Sequence, residues 1–202
     1  MLRSIAFRIG LLALLGAVLS ACAATPERQV LPELNFNHVS QIILDVSEVR
    51  VVNEYRSPLK APNVEHEMPV KIDQAVRKWA EQRLRANGNQ NAFAVLTIKD
   101  ASVVEKQLEK KTGLTGFFTN DQSERYEFRV MAELRIEEVN GNKAIATAEV
   151  SRIKTVAEDI TLNDRDMMYF QQVEQLMSDF NVEMVASINK FMQPFLNGRL
   201  TH

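Results

Sequence analysis

The most regular alternation of apolar and polar positions in the chain lies in residues 126–137. One set of alternate positions is apolar and consists of Tyr126, Phe128, Val130, Ala132, Leu134 and Ile136. The other face has the charged residues Glu127, Arg129, Glu133, Arg135 and Glu137. Because successive side chains of a strand point to opposite faces of its sheet, this alternation predicts a half-buried antiparallel strand.

A further strand is predicted directly after a tight turn. Asn140-Gly141 is typical of a two-residue hairpin, and residues 144–156 follow it. One face of this strand has small side chains, namely Ala144, Ala146 and Ala148, together with Val150. Small side chains there would let a helix approach the sheet closely.

Residues 70–87 have the period of a helix that is apolar on one side. The apolar stripe is Ile72, Ala75, Val76, Trp79, Ala80 and Leu84. Pro69 suits the first turn of this helix, and Asn87-Gly88 supplies a stop.

A second, longer helix is predicted near the C-terminus. Thr161 and Asn163 suit its N-cap, and it runs to roughly Phe191 or Leu196, where Pro194 should end or kink it. Its apolar stripe is Phe170, Val173, Leu176, Met177, Phe180, Met184, Ile188, Phe191 and Phe195.

Two more strands complete the predicted set. Residues 42–52 alternate in two phases, which indicates a bulge near Ser47-Glu48, and residues 92–107 form a long second strand. The order is therefore β-α-β-β-β-α. It predicts an α+β fold in which a four-stranded antiparallel sheet has two helices on one face, within a single domain spanning residues 38–202.

The N-terminus has the features of a secretory signal. Arg3 and Arg8 precede an apolar run, and Leu19-Ser20-Ala21 leads into Cys22. The run is shorter than the roughly 20 residues of a permanent membrane span. We therefore predict a signal peptide at residues 1–21 and a tether at residues 22–37.

The four residues Leu19-Ser20-Ala21-Cys22 resemble the bacterial lipoprotein box. The resemblance implies that the Cys22 thiol is acylated and that the chain is cut just before it, so Cys22 anchors the protein to a membrane. Ala23 in place of Asp at the next position implies the outer membrane in a Gram-negative source. The competing interpretation is a chance cysteine near an ordinary signal-peptidase site, but Cys22 is the only cysteine in the chain.

The composition argues against a nucleic-acid partner and against a disulfide. Without residues 1–21 the chain has 181 residues, with 22 basic and 26 acidic side chains and a net charge of −4. This mild acidity, without a basic block, argues against a nucleic-acid partner. A single lipidated cysteine leaves no disulfide, so packing alone must stabilise the fold.

The element order, together with the Leu19-Ser20-Ala21-Cys22 box, resembles envelope lipoproteins of the ABC-transport auxiliary and lipopolysaccharide-assembly type. The resemblance implies a lipid-anchored protein of the cell envelope with a small α+β domain. It implies a role in envelope maintenance or lipid transport.

The sequence offers little for catalysis, and we expect no metal and no cofactor. The nucleophile-elbow, dinucleotide, Walker and His-Glu-x-x-His motifs are all absent. Glu65-His66-Glu67 is the one cluster with a metal-like composition. It lies in a proline-punctuated loop without a further His or Cys nearby, which favours solvated loop charges.

The connection between the second and third long strands is better suited to binding. It contains Leu114, Phe117 and Phe118, with lysines upstream. These apolar side chains could insert into a membrane surface or dock on a partner. They could equally fold back and cap the core.

The leading hypothesis is a non-enzymatic lipoprotein, anchored to the outer membrane, facing the periplasm and contacting an envelope protein or lipid. A second hypothesis is a carrier of lipid or another apolar ligand, with a cavity between the alanines of the fourth strand and the methionines of the last helix. A third is a hydrolase, which would require a cleft with perturbed carboxylates around His66.

Overall fold

The computed structural model describes residues 30–108, 122–157 and 159–196. Within these residues the strands are β1 (Ile42–Leu44), β2 (Val49–Asn53), β3 (Leu84–Ala86), β4 (Ala92–Asp100), β5 (Val103–Gln107), β6 (Gln122–Glu138) and β7 (Lys143–Ala157). The helices are α1 (Ile72–Arg83) and α2 (Leu162–Phe191), followed by a 3₁₀ turn at Gln193–Phe195.

Strand β6 is the centre of a five-stranded mixed sheet. Along one edge it pairs antiparallel first with β5 and then with β4, and along the other edge it pairs antiparallel with β7. Strand β2 adds to β4 in parallel, with Val51 beside Leu96. The predicted α+β class is confirmed, whereas the four-stranded, purely antiparallel sheet is wrong.

The parallel pair follows from the position of α1 in the chain. A helix between two neighbouring strands carries the chain back to the end of the sheet at which the first strand began, so the second strand runs in the same direction as the first. Strands β2 and β4 are joined through α1 in this way. The order of elements in the sequence predicted the helix, whereas the parallel direction of β2 and β4 was not predicted.

The first predicted strand is two strands in two sheets. Strand β1 pairs in parallel with β3 in a separate two-stranded sheet, while β2 joins the main sheet. Between them the backbone N–H and the hydroxyl of Ser47 both donate to the carbonyl of Ala92, each at 2.8 Å. The expected bulge at Ser47-Glu48 is therefore a break, because these bonds redirect the chain from one sheet to the other.

The second predicted strand is also divided. Strands β4 and β5 both pair with β6, and the chain bends between them at Ala101-Ser102. The N–H of Ser102 donates to the Asp100 carboxylate at 3.0 Å, and its carbonyl accepts from the N–H of Arg129 at 2.9 Å. The bend lets two short strands follow one long twisted partner.

Of the predicted helix features, the cap and the end of α2 at Phe191 are confirmed, whereas the end of α1 and one position of the α2 stripe are wrong. Thr161 is the N-cap of α2, and its hydroxyl accepts from the N–H of Asp164 at 3.2 Å. Helix α1 ends at Arg83 rather than Asn87, since the chain passes directly into β3 and pairs with β1. Phe191, assigned to the apolar stripe of α2, is 52% exposed.

The core lies between one face of the sheet and the two helices. All six predicted inward residues of β6 are fully buried. The Tyr169 ring of α2 meets Tyr126 edge to face, with centroids 5.4 Å apart, and the Trp79 ring of α1 meets Phe180 of α2 in the same way at 5.2 Å. Among the described residues, neither helix has the length and hydropathy needed to span a bilayer.

Candidate functional site

The site residues predicted from sequence lie outside the described residues. These are Cys22, Leu114, Phe117 and Phe118. The structure does place the two ends of the connection that contains the last three. Strand β5 ends at Gln107, paired with Glu124 of β6, and Arg165 in the first turn of α2 makes an ion pair with Glu124 at 3.0 Å. The connection therefore leaves and re-enters the fold beside the start of α2.

Residues 33–36, which lie within the predicted tether, pack on the helices. Leu34 and Phe36 are buried, and the N–H of Phe36 donates to the side-chain carbonyl of Gln82 at 2.6 Å. Glu33 makes an ion pair with Lys78, whose hydrogen bond and charge hold the pKa of the Glu33 carboxyl below its ordinary value. Packed chain thus begins by Leu34, within the range predicted for the tether.

A shallow cavity of about 200 Å³ lies between this segment and α2. Its lining includes Phe36, His38, Glu174, Met177 and Asn181. This volume holds a few small groups and is far below the roughly 300–1,000 Å³ of a typical ligand pocket. The cavity is therefore too small for a lipid.

A buried polar cluster joins α1 to α2 beside this cavity. The Asn181 side-chain carbonyl accepts two hydrogen bonds of 3.0 Å, one from Trp79 Nε1 and one from Arg83 Nε. Arg83 is 1% exposed, and burial lowers the pKa of its guanidinium. Arg83 lies four residues after Trp79 and therefore on the same side of α1 as the apolar stripe, although it is not among the stripe residues predicted from sequence.

The second cavity, of about 120 Å³, lies in the loop between β2 and α1. Its lining includes Tyr55, Ser57, Glu65, His66, Lys71 and Asp73. Glu65 is only 5% exposed. The prediction of solvated loop charges is therefore wrong for Glu65, although the neighbouring Glu67 side chain is 65% exposed.

Four donors surround the Glu65 carboxylate. Oε1 accepts from the Tyr55 hydroxyl at 2.6 Å and the Ser57 hydroxyl at 2.5 Å. Oε2 accepts from the N–H of Val103 at 3.1 Å and the Asn63 amide at 3.3 Å. Because Val103 begins β5, the carboxylate fixes the loop to the bend between β4 and β5.

These bonds decide the protonation of Glu65. Burial by itself would raise the pKa of Glu65, but the hydrogen bonds from Ser57, Tyr55 and the backbone outweigh it and hold the pKa below its ordinary value. Burial and the bond to the carboxylate raise the pKa of Tyr55. The carboxylate of Glu65 is thus ionised at neutral pH and accepts four hydrogen bonds, whereas a general base needs a pKa near the working pH and a free lone pair.

His66 does not complete a catalytic arrangement in the part of the chain that the structure describes. Its Nε2 lies 3.5 Å from the Glu67 carboxylate, and its buried Nδ1 has no hydrogen-bond partner among those residues. The same residues hold no group of three His, Cys, Asp or Glu side chains placed to bind a metal ion. The hydrolase hypothesis required a carboxylate with a shifted pKa beside His66. The pKa of Glu65 is shifted downward, which favours its ionised, hydrogen-bonded form.

The proposed carrier cavity can also be compared with the core. Ala146, Ala148, Met177 and Met184 are at most 1% exposed and belong to one continuous apolar cluster. The edge-to-face rings described above lie in the same layer. Side chains therefore occupy the space between the sheet and the helices.

Neither a protein-family model nor a curated protein matches the sequence. Similar solved structures include the minor lipoprotein from Acinetobacter baumannii, with 16% identity, coverage of 73% of this chain and 96% of that one, and a TM-score of 0.37. Another is the rare lipoprotein B from Shewanella oneidensis, with 15% identity, 69% and 97% coverage, and a TM-score of 0.33.

The uncharacterized lipoprotein B from Nitrosomonas europaea is similar at 12% identity, with 79% and 92% coverage and a TM-score of 0.39. These three structural neighbours are all bacterial lipoproteins. At such TM-scores the likeness carries no argument about what this chain does, so the proposal below depends on its own residues.

Proposed function

We propose that this chain is a lipoprotein of the bacterial envelope, anchored through Cys22 to the outer membrane and facing the periplasm. Its folded body acts as a non-enzymatic accessory or interaction module in envelope maintenance or lipid transport. The observation that carries the proposal is Leu19-Ser20-Ala21-Cys22 at the end of a short apolar run, with Cys22 the only cysteine in the chain.

Tethering is the physical basis of the proposed role. Acyl chains bury many CH₂ groups, each contributing about 0.8 kcal/mol, so more than one chain makes anchoring stable. Confinement to a surface raises the effective concentration of the domain for partners on that surface. Leu34 is twelve residue steps from Cys22, so the packed body works within roughly 43 Å of the lipid at full extension.

The geometry around Glu65 supports a binding role over a hydrolytic one. Its carboxylate is occupied by four donors that hold a loop to the sheet. The proposed contact surface is instead the connection between β5 and β6, through Leu114, Phe117 and Phe118. Apolar side chains at such a position match the way in which proteins present an anchor to a partner or a membrane surface.

The anchor is tested by Cys22→Ala in whole cells. We expect the precursor to remain uncut at this position, and palmitate labelling and membrane recovery to be lost. Ala24→Ser is the matched control, because it leaves the cysteine and its preceding residues intact and should label normally. Intact mass of the mature wild-type protein gives an independent check: a first residue other than cysteine, or one without added acyl mass, refutes the proposal.

The membrane is tested by Ala23→Asp. If the resemblance to proteobacterial lipoproteins holds, this change redirects a labelled protein from the outer to the inner membrane. Ala23→Ser serves as the matched control and should stay in the outer-membrane fraction. An unchanged distribution of the Asp variant would contradict the outer-membrane assignment while leaving the lipid anchor intact.

The contact surface is tested by changing Phe117 and Phe118 together to Ser. We expect weaker recovery of crosslinked envelope partners with an unchanged melting temperature. Phe191→Ser is the control, because Phe191 is an exposed ring at the C-terminal end of α2, whereas the two described ends of this connection lie beside the start of α2. A large fall in melting temperature for the double variant would show that the rings belong to the core.

A further inference from the structure

The sheet face opposite the helices presents a regular charge pattern. We call this the outer face and define it by residues 125, 127, 129, 131, 133, 135 and 137 of β6 with their neighbours on β4, β5 and β7. Arg129 and Arg135 have 45% and 41% of their side-chain surface exposed. The described parts of both helices pack on the other face.

The order of charges along β6 is antisymmetric about Met131. Reading from residue 125 to residue 137, the outer face presents Arg125, Glu127, Arg129, Met131, Glu133, Arg135 and Glu137. At equal distances from Met131 every basic side chain on one side therefore corresponds to an acidic one on the other. The row has three positive and three negative charges, so it has no net attraction for an anionic membrane surface or a nucleic acid.

We propose that the outer face is the contact surface for a second copy of this chain, related by a two-fold axis that passes beside Met131 and crosses β6. Such an axis places the two central strands face to face and antiparallel. Arg129 of each copy then faces Glu133 of the other, and Glu127 faces Arg135. A self-complementary surface of this kind is what a two-fold interface requires.

The register of the sheet extends the complementarity to apolar side chains. Ile145 on β7 is the sheet neighbour of Arg135 on β6, and Ile153 on β7 is the neighbour of Glu127. They are 43% and 55% exposed, and the proposed axis brings Ile145 of one copy opposite Ile153 of the other. On the other side of β6, Val95 of β4 is the neighbour of Arg135 and Val104 of β5 is the neighbour of Glu127. The axis therefore also brings Val95 of one copy opposite Val104 of the other.

The charge pattern also excludes the other two-fold arrangement. An axis parallel to β6 would place every residue of that strand opposite its own copy, so that six like charges would face one another. The crossing axis leaves one such conflict. Glu149 lies beside Met131 in the sheet and would approach Glu149 of the second copy near the axis.

The size of the outer face suits a weak, reversible dimer. Twelve steps of about 3.4 Å from residue 125 to residue 137 make the outer face roughly 40 Å long, and three strands about 4.8 Å apart make it roughly 14 Å wide. The area of the outer face is therefore somewhat below the roughly 800 Å² that each partner buries in a standard stable interface. Packed sheets cross at about 30°, so the pairs nearest Met131 should matter most.

Cysteine crosslinking tests the axis directly, because lipidated Cys22 leaves no other thiol. In membranes, full-length Met131→Cys should form a crosslinked dimer with a short bismaleimide. Ile145→Cys and Ile153→Cys should each fail alone, since each lies far from its own copy, and should crosslink when combined in one chain. Absence of the Met131→Cys dimer, or crosslinking of that position only to a different protein, would overturn the proposal.

Charge exchange supplies a second, independent measurement on protein purified in detergent. Arg129→Glu or Glu133→Arg alone should weaken the dimer about tenfold or more, and the two together should restore it, because the exchange preserves the antisymmetry. Glu149→Gln should strengthen the dimer, while Arg77→Glu on the exposed side of α1 should leave it unchanged. Failure of the double exchange to restore association in a folded protein would refute the two-fold arrangement, whatever becomes of the anchor.

Discussion

The two faces of β6 show how one strand can serve two purposes. Its inner face consists of six apolar residues that are fully buried against α1 and α2. Its outer face is a row of partly exposed charges joined by ion pairs such as Arg135–Glu133 at 2.7 Å. Exposed pairs contribute about 0–1 kcal/mol, far less than buried rings, so the inner face determines the fold and the outer face can vary for recognition.

The largest effect should come from the inner face. Phe128→Ala removes a fully buried ring that packs near Tyr126 and Tyr169, and should lower the free energy of unfolding by about 3–5 kcal/mol. Arg129→Ala, one residue away on the outer face, should cost about 0.5 kcal/mol or less. Urea unfolding followed by circular dichroism measures both, and equal losses would break the distinction between the faces.

Glu65 should behave like an inner-face residue despite its charge. Glu65→Ala leaves the Tyr55 and Ser57 hydroxyls and the N–H of Val103 without their acceptor, so unfolding should become easier by about 2–3 kcal/mol. Glu67→Ala is the matched control, because its side chain is mostly exposed and should cost about 0.5 kcal/mol or less. If the control were as costly as the variant, Glu65 would have no special role.

The small inner residues of β7 should resist enlargement. Ser187 of α2 lies close enough for its hydroxyl to accept from the N–H of Thr147 at 2.9 Å, and Ala148 is 1% exposed beneath the helix. Ala148→Leu should therefore cost about 1–3 kcal/mol through overpacking. Glu149→Leu, on the outer face, is the control and should change unfolding little; a tolerated leucine at residue 148 would indicate unfilled space between the layers.

The smallest expected effect is the loss of folding stability at low pH through Glu65. The pKa of Glu65 is lower in the folded protein than its ordinary value of 4.5, so the unfolded chain binds the proton more readily. The stability that this group supplies is therefore complete above pH 4.5 and is lost as the pH falls through the folded-state pKa. Glu65→Gln should unfold more easily at neutral pH but lose less stability on acidification, and parallel pH profiles for the two proteins would contradict this.

Local patterns in the sequence predicted the elements that have one buried side. The alternation from Tyr126 to Ile136, most of the stripe of α2 and the cap at Thr161 are confirmed. A turn at Asn140-Gly141 is confirmed, but the two-residue hairpin is wrong: the N–H of Glu138 donates to the carbonyl of Asn142 at 2.9 Å, so the loop is residues 139–141, with Gly141 at a φ of +94°. Each of these signals is contained in residues close together in the chain, where periodicity fixes which side faces the core.

The features missed from sequence depend on residues far apart in the chain. Ser47 separates β1 from β2 because it bonds Ala92, and Glu65 is buried because Val103 and Tyr55 donate to it. Arg83 is buried because α2 brings Asn181 to it. Neither hydropathy nor spacing records such pairings, so the charges of the Glu65-His66-Glu67 loop were expected to face water.

The sequence by itself determined which side of each long element is apolar, where the main turn and helix cap lie, and where a lipid could be attached. Only the tertiary structure decided that β2 runs parallel to β4, that one carboxylate is locked by four donors, and that the charges of β6 lie in one row on an open face. The reason is that hydrophobic periodicity is a property of neighbouring residues, whereas strand direction and the partners of a buried charge are set by segments that meet only when the chain folds.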